Sequence, residues 1–406
     1  MVLLVVTADN HLGQYSARMP FARLEERRRH LREGFRRAVS YAIQRRAAAF
    51  LHAGDLFDTV DPRNLERVMV SQELARLRDA GITVIGIGGN HDTPRHSGQH
   101  GGYHAADIYA SLGGLHFCAD SRQVKSLIVE HDGQTIQLGG VSWDPSLRPE
   151  DDPLQSLIFE DPDGGRADWK VLLAHASPEG HRHPDANEPY VQRQTIAELD
   201  TDVLILGHEH RRTFYEIDGR KVLVPGATEL MKYGEFGHAP GFASVVLGRN
   251  GAFSHRWHTF PAQPRLRFAV SANELIAEPA GLRDQKEPVT EVVLRRLAEA
   301  SAHDQLTTLV LAGELPRELY LDLDLARVRE TGLVSNFFFD IDDRDLHIAS
   351  EFGATAVGSA RLTQREELDR ALQEVASELT DEEELAALDL CRERVLAYYA
   401  ESETGS

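Results

Sequence analysis

Val2-Leu3-Leu4-Val5-Val6-Thr7-Ala8-Asp9-Asn10-His11 is an apolar run of strand length that stops in a polar loop. The same arrangement recurs at 48–53, 82–87, 170–174 and 202–206. A short continuous apolar run bounded by turn residues reads as a strand buried on both faces. Between the first two runs, Leu24, Leu31, Phe35, Ala38 and Ala42 recur at helical spacing among many arginines, from Pro20 to Arg46. Between the next two, Leu65, Val68, Val70, Leu74 and Leu77 form a less regular stripe that predicts a second amphipathic helix. Strand, helix, strand, helix is the order of an α/β layered core. Beyond residue 120 the runs at 124–130, 134–142, 213–217, 221–225, 242–248 and 253–260 are short and turn-bounded, so the second half of the core is richer in strand.

At 406 residues the chain exceeds one typical domain. Pro261 and Pro264 mark a boundary near 265, where the charge also changes. Residues 1–265 hold 30 basic and 34 acidic side chains, whereas 266–406 hold 14 and 30, so most of the net charge of −20 belongs to the C-terminal third. That acidity argues against a simple nucleic-acid binder. The objection weakens for the first part, where several acids are candidate metal ligands and bound cations would offset them. Strand-like runs at 307–312 and 336–342 flank a helical stretch, and from Thr363 onward the chain reads as wholly helical. Two cysteines, Cys118 and Cys391, make neither a disulfide framework nor a zinc spacing, which favours a reducing, cytoplasmic setting. The opening apolar run is too short for a signal peptide, and no stretch reaches membrane-spanning length.

Polar clusters follow five of the predicted strands, where open α/β sheets place their ligands. They are Asp9-Asn10-His11, Gly54-Asp55-Leu56-Phe57-Asp58, Gly89-Asn90-His91-Asp92, the single His175, and Gly207-His208-Glu209-His210. Any one alone is most simply a turn or a loop histidine. Five at strand ends point to a metal centre. A phosphodiester is anionic and resists hydroxide, and two cations about 4 Å apart both neutralise it and lower the pKa of a shared water. A bridging carboxylate with imidazole and amide ligands suits manganese, iron or zinc better than an all-oxygen magnesium or calcium cage.

Asp-x-His, Gly-Asp-x-x-Asp, Gly-Asn-His-Asp, His and Gly-x-His-x-His, in that order, resemble the calcineurin-like metallophosphoesterase superfamily. The resemblance implies a layered β-sandwich core flanked by helices and a dimetal site. In it Asp9, His11 and His210 hold one metal, Asn90, His175 and His208 hold the other, and Asp55 bridges them. His91 would protonate the leaving oxygen, with Asp92 as its orienting partner. More narrowly, Asp9 to Gly13, Gly54 to Asp58 and the stretch from Pro225 through Glu229, Gly234 and Glu235 to Gly241 and Phe242 resemble the SbcD-type nuclease subunit of the double-strand-break repair complex. This predicts a nuclease domain at 1–265, a small α+β capping domain facing DNA at 266–355 and a helical partner-binding tail at 356–406. It also implies manganese as the metal, action on single- and double-stranded DNA ends, an SMC-like ABC-type ATPase of the SbcC type as partner, and a nucleoid-associated location. Some archaeal relatives carry histidine where Asp58 stands, so Asp58 either orients a ligand or caps a turn.

The chain has no Gly-x-x-x-x-Gly-Lys-Ser/Thr motif, so an ATP-driven step belongs to a partner. The competing readings are a small-molecule or protein metallophosphatase, which would not need the extra 140 residues, and an inactive scaffold, which would be free to lose His91 and the ligands. Arg95, the loop Gly13 to Arg23 and the histidines 96, 100, 104, 181 and 183 are candidates for lining a DNA groove. Arg27, Arg28 and Arg29 read as a solvated, ion-paired helix face. A homodimer is expected through Leu65, Val68, Met69 and Leu74 with the segment Tyr103 to Leu112, against the alternative that these pack into the chain's own core. In the tail, Thr363 with Glu366 and Thr380 with Glu383 fit capping boxes, predicting two helices there.

Overall fold

The computed structural model describes residues 1–14, 16, 18–159, 167–181, 187–231, 239–277, 288–349 and 388. The chain divides into two compact units, Met1–His347 and Ile348–Ser406. Both helices expected from the capping boxes fall in the second unit and, apart from Leu388, lie outside the described residues.

Two sheets form the centre of the first unit. One has the order β15 (Phe253–Thr259), β14 (Gly241–Leu247), β1 (Val2–Thr7), β2 (Ala49–Ala53), β3 (Thr83–Ile87), β4 (His116–Cys118). The other runs β12 (Thr213–Ile217), β13 (Arg220–Val224), β11 (Val203–Gly207), β8 (Trp169–His175), β6 (Gln134–Gly140), β5 (Gln123–His131), β7 (Ile158–Phe159). The short β9 (Ser177–Pro178) and β10 (Tyr190–Val191) pair only with each other. Strands β1 to β4 are mutually parallel, as are β6, β8, β11 and β13.

Side chains alternate along each central strand, so each supplies two cores. From β1, Leu4 and Val6 enter the core between the sheets while Val5 faces the helices. In β2, Leu51 points one way and Phe50 the other; in β11, Ile205 joins the shared core and Leu204 the opposite layer. Burial on both faces is why these strands are uninterrupted apolar runs rather than alternating ones. Helices α1 (Phe21–Gln44) and α2 (Asn64–Asp79) cover the first sheet, with Leu31, Phe35 and Ala38 packed on Phe50. The short α3 (Asp107–Ser111) adds Tyr109 to this layer, and α4 (Arg193–Glu198) adds Ile196 on the far side of the second sheet.

A third sheet, β16 (Arg265–Ser271), β17 (Leu306–Leu315) and β18 (Phe338–Ile348), has its own core with α5 (Ala272–Ala277), α6 (Val289–Ala300), α7 (Arg317–Leu321) and α8 (Leu325–Ser335). It is fastened to the start of α1. Met19 and Leu24 cluster with Leu306, Phe337 and Phe338, the Arg23 guanidinium lies over the Phe337 ring, and Arg18 donates to Asp340 at 2.6 Å.

The α1 arginines depart from expectation. Arg29 is solvated, but Arg27 and Arg28 are buried. Arg27 donates to the Leu230 carbonyl and the Gln263 amide oxygen and pairs with buried Glu229 at 3.4 Å. Arg28 Nε donates to the carbonyls of Gly13 and Gln14. The helix stripe could not reveal this, because the acceptors come from distant loops. Of the apolar residues proposed for a dimer, Met69, Leu74 and Tyr109 face the chain's own core, whereas Leu65, Val68, Tyr103, Ile108 and Leu112 are exposed. The Tyr109 hydroxyl donates to the Arg67 carbonyl and ties α3 to α2, so the exposed members lie on adjoining elements.

Removing one partner of a buried ion pair costs about 3–5 kcal/mol because the other charge is stranded. Arg27→Ala should therefore lower unfolding stability in urea by about that amount, while Arg29→Ala leaves it nearly unchanged. Equal, small effects would contradict the burial of Arg27.

Candidate metal centre

Parallel pairing sets the strand ends level. Ala53 pairs with Ile87 and Gly207 with His175, so the loops after β2 and β3, and those after β8 and β11, open at the same height. Asp9 and His11 follow β1, Asp55 follows β2 and Asn90 follows β3; His175 ends β8, and His208 and His210 follow β11. The sequence-predicted ligands, drawn from both sheets, are thus brought to one place.

Four of them carry backbone strain. Asp9, His11, Asp55 and His208 have φ of 49°, 45°, 53° and 88°. Non-glycine residues in the left-handed region cost of order 1–3 kcal/mol each, and such strain gathers at functional sites. Backbone hydrogen bonds enforce it: Asp9 N–H donates to the Gly54 carbonyl and His11 N–H to the Asp55 carbonyl. The loops also approach too closely for side chains. A Cβ on Gly89 would lie 2.2 Å from Asp55 Oδ1, and one on Gly54, whose φ is 92°, would lie 2.3 Å from His175 Nδ1.

Among the described residues donor atoms converge in three groups, Asp9 with His11 and His210, Asp9 with Asp55 and His175, and His11 with Asp58 and His91. Asp55 Oδ2 is 3.6 Å from His11 Nε2 and 3.4 Å from His175 Nε2. Asp9 accepts the His208 N–H at 3.0 Å, and Asp55 Oδ1 accepts the His91 N–H at 2.9 Å. Asn90 Oδ1 lies 3.1 Å from His175 Nε2 and 2.9 Å from His208 Nδ1, while the Nε2 atoms of His11 and His210 are 3.2 Å apart.

Three imidazoles are oriented from behind. His11 Nδ1 faces Asp58 Oδ1 at 3.1 Å, His175 Nδ1 faces the Ala53 carbonyl at 2.8 Å, and His208 Nε2 faces Glu188 Oε2 at 3.0 Å. With the hydrogen on each outer nitrogen, the inner lone pairs point into the cluster, as the supporting shell of a metal site requires. Inner lone pairs would then face the Asn90 oxygen and the Asp55 carboxylate, an arrangement that is repulsive unless a cation lies between them. The residues therefore fit a metal centre.

The electrostatics agree. Burial pulls the His175 imidazole down, but the charge and hydrogen bond of Asp55, then Asp9 and the Ala53 carbonyl, outweigh it and raise it to about 9. For His11 burial likewise acts downward, and Asp58, Asp55 and Asp9 together raise it. Burial would raise Asp55, yet His175, His11 and His91 hold it well below the usual carboxylate range. The cluster carries an excess of negative potential that cations would satisfy.

His91 is partly exposed, its Nδ1 3.4 Å from the Asp58 carbonyl and 3.7 Å from Asp58 Oδ1. The carboxyl of Asp92, the expected partner of His91, accepts instead from Gly89 N–H at 2.8 Å and Phe57 N–H at 3.2 Å and so braces the loops of Asp55 and Asn90. Burial, with Asp55 close by, pushes the Asp92 carboxyl up to about 7. Asn10, given no role from sequence, links Thr228 and His52 at 2.8 and 2.7 Å beneath the cluster. Glu188 and His52 carried no local signal, since their partners are remote in sequence. His96 and His100 are exposed, the His104 ring packs edge-on to Phe117, His181 stacks on Tyr215, and His183 lies outside the described residues.

A layered α/β sandwich with a carboxylate–imidazole cluster across the ends of both sheets defines a metal-dependent hydrolase. Residues 2–212 match the model of the calcineurin-like phosphoesterase family, and the chain belongs to that family, whose members use a dinuclear metal centre. It is 28% identical over 350 residues to the DNA double-strand break repair protein Mre11 of Haloferax volcanii, spanning 84% of this chain and 69% of that protein. The protein of the same name from Thermoplasma acidophilum is 25% identical over 278 residues, 67% of this chain and 69% of that protein. That of Saccharolobus solfataricus is 37% identical over 100 residues, 24% of each chain. Among the described residues no helix is long and apolar enough to cross a membrane.

Loss of a supporting partner of a metal ligand typically costs about 10–100-fold in metal affinity or activity. Asp58→Ala should weaken manganese binding by calorimetry in that range while leaving the circular dichroism spectrum intact. Unchanged affinity would reduce Asp58 to a turn cap.

Proposed function

We propose that this protein is a dimetal DNA nuclease, hydrolysing phosphodiester bonds at the ends of single- and double-stranded DNA in double-strand-break repair. The observation that carries the reading is the set of imidazoles whose outer nitrogens are held by Asp58, Ala53 and Glu188 while their inner nitrogens converge on Asp55 and Asn90. Similarity to proteins named for double-strand break repair supports DNA as the substrate.

Asp9, His11 and His210 would hold one metal and Asn90, His175 and His208 the other, with Asp55 between. Two bound cations supply charge neutralisation of the phosphate and a lowered pKa for the attacking water. Imidazole and amide donors favour manganese over magnesium. His91, exposed at the mouth of the cluster and steadied by Asp58, would give its proton to the leaving oxygen. Asp92 acts through the backbone of Gly89 and Phe57, as a positioning residue.

Cleavage of DNA should stop in chelator and return more fully with manganese than with magnesium. His91→Ala should retain both metals by elemental analysis and lose about 10²–10⁴-fold in turnover, the usual contribution of general acid catalysis. His208→Ala should lose metal. Full cleavage in chelator would end the nuclease reading, and near-normal turnover by the His91 variant would displace the proton donor.

The assembly proposed is a homodimer working with an SMC-like ABC-type ATPase of the SbcC type. The exposed apolar residues Leu65, Val68, Tyr103, Ile108 and Leu112 support the first part, since a patch on adjoining elements is a mark of association. Residues 266–355 would cap the nuclease and face DNA, and 356–406 would grip the ATPase as helices in a groove. In sedimentation the protein should be a dimer, and Val68→Asp should make it a monomer. Removing 356–406 should leave dimerisation and manganese-dependent cleavage of short DNA unchanged but abolish co-purification with the ATPase. A monomeric parent would overturn the dimer, and retained co-purification would overturn the role of the tail.

A further inference from the structure

A cleft of about 560 Å³ is lined by Arg36, Arg37 and Tyr41 of α1, Arg76 of α2, and His258 and Phe260, and by none of the candidate ligands. Its volume lies in the range of small-ligand pockets, about 300–1,000 Å³. In a chain of net charge −20, three arginines face it against one lining carboxylate, Glu33, among the described residues. Glu73, buried beneath, joins Arg36 and Arg76, and Arg76 also reaches Ser40 at 3.1 Å. Even with both carboxylates counted the cleft is positive.

The arginines are only partly used. Among the described residues Arg36 makes no hydrogen bond, and Arg37 makes one, from Nε to Glu33 at 3.2 Å, leaving its terminal nitrogens unengaged. The Arg37 guanidinium lies over the Phe260 ring at 5.4 Å, which holds its donor edge at the cleft. The aromatic part of the lining is fixed: the His258 ring rests on Phe242, meets Tyr41 at 4.2 Å and is paired through Nε2 with the Ser244 hydroxyl at 2.8 Å. Burial, with Arg256 and Arg45 nearby, lowers the His258 imidazole, so this part remains a neutral π surface. Aromatic rings beside guanidinium groups that keep unengaged nitrogens are what a nucleotide needs, one for its base and the other for its phosphate.

We propose that this cleft is a second, non-catalytic nucleotide-binding site, with the phosphate held by Arg36, Arg37 and Arg76 and the base laid against Tyr41, His258 and Phe260. It is built from α1, α2, β14 and β15, shares no residue with the metal cluster, and does not depend on the nuclease reading. The nucleotide is either free or one unit of a single strand, since both present the same base and phosphate.

Photocrosslinking tests it. The full-length protein in chelator is irradiated with 5-iododeoxyuridine monophosphate or with a short oligodeoxynucleotide carrying 5-iododeoxyuridine, and the linked peptides are mapped by mass spectrometry. Links are expected at Tyr41, His258 or Phe260, with both probes if the ligand is a free nucleotide and with the oligonucleotide alone if it is a strand. The double variant Arg36→Ala, Arg37→Ala should reduce them about fivefold or more, and Arg37→Lys should restore them only in part. The same double variant should keep its manganese-dependent hydrolysis of an aryl phosphodiester, showing that it is folded. Links confined to the loops around Asp9, Asn90 and His208, or links at Tyr41 that survive the double variant undiminished, would overturn the proposal.

Discussion

Asp55 sits almost wholly buried with a left-handed backbone, its carboxylate between the imidazoles of His11 and His175 and under the amide of His91. A charge removed from water at such a position costs several kcal/mol unless its surroundings replace the lost solvation. The His91 amide, in the loop after β3, donates to this carboxylate directly, and the imidazoles of His11 and His175, one from each sheet, would reach it through cations held between them. Much of the surrounding architecture serves this one group. The level ends of parallel strands place the donors, the glycine at 89 leaves room for the carboxylate, and Asp92 holds together the loops on either side of it.

The same economy extends outward along α1. Its N-terminal half is anchored to the third sheet through Met19, Leu24 and Arg18, and Arg28 holds the carbonyls of Gly13 and Gln14 just beyond the His11 loop. Gly34 packs against Thr228, whose hydroxyl receives the Asn10 amide under the cluster. One helix therefore braces the metal-ligand loop, joins it to the third sheet and, on its far end, forms a wall of the arginine-lined cleft. A shift of α1 would be felt at all three places, because close-packed elements transmit displacement rather than absorb it.

Much of this was legible in the chain. The five apolar runs are β1, β2, β3, β8 and β11, and the polar residues after them form the cluster, because a strand buried on both faces and a loop obliged to carry ligands differ sharply in composition. The long stripe from Leu24 to Ala42 is α1. What local pattern could not show was pairing across distance. Arg27 and Arg28 looked like solvent-facing charges because Glu229, Gln263 and the carbonyls that bind them are not their sequence neighbours. Asp92 looked like the partner of adjacent His91, whereas its oxygens turn back to Gly89 and Phe57 and leave Asp58 beside the ring. Strand β16, with alternating Arg265, Arg267 and half-buried apolar residues, lacked the continuous apolar signal of the central strands.

The central claim is that the strand-end cluster is one binuclear centre bridged by Asp55. Anomalous scattering from crystals grown with manganese addresses it directly. The account predicts two anomalous peaks, one at coordination distance from Asp9, His11 and His210, the other from Asn90, His175 and His208, both within reach of Asp55. A single peak, or two peaks of which either lies away from Asp55, would contradict it.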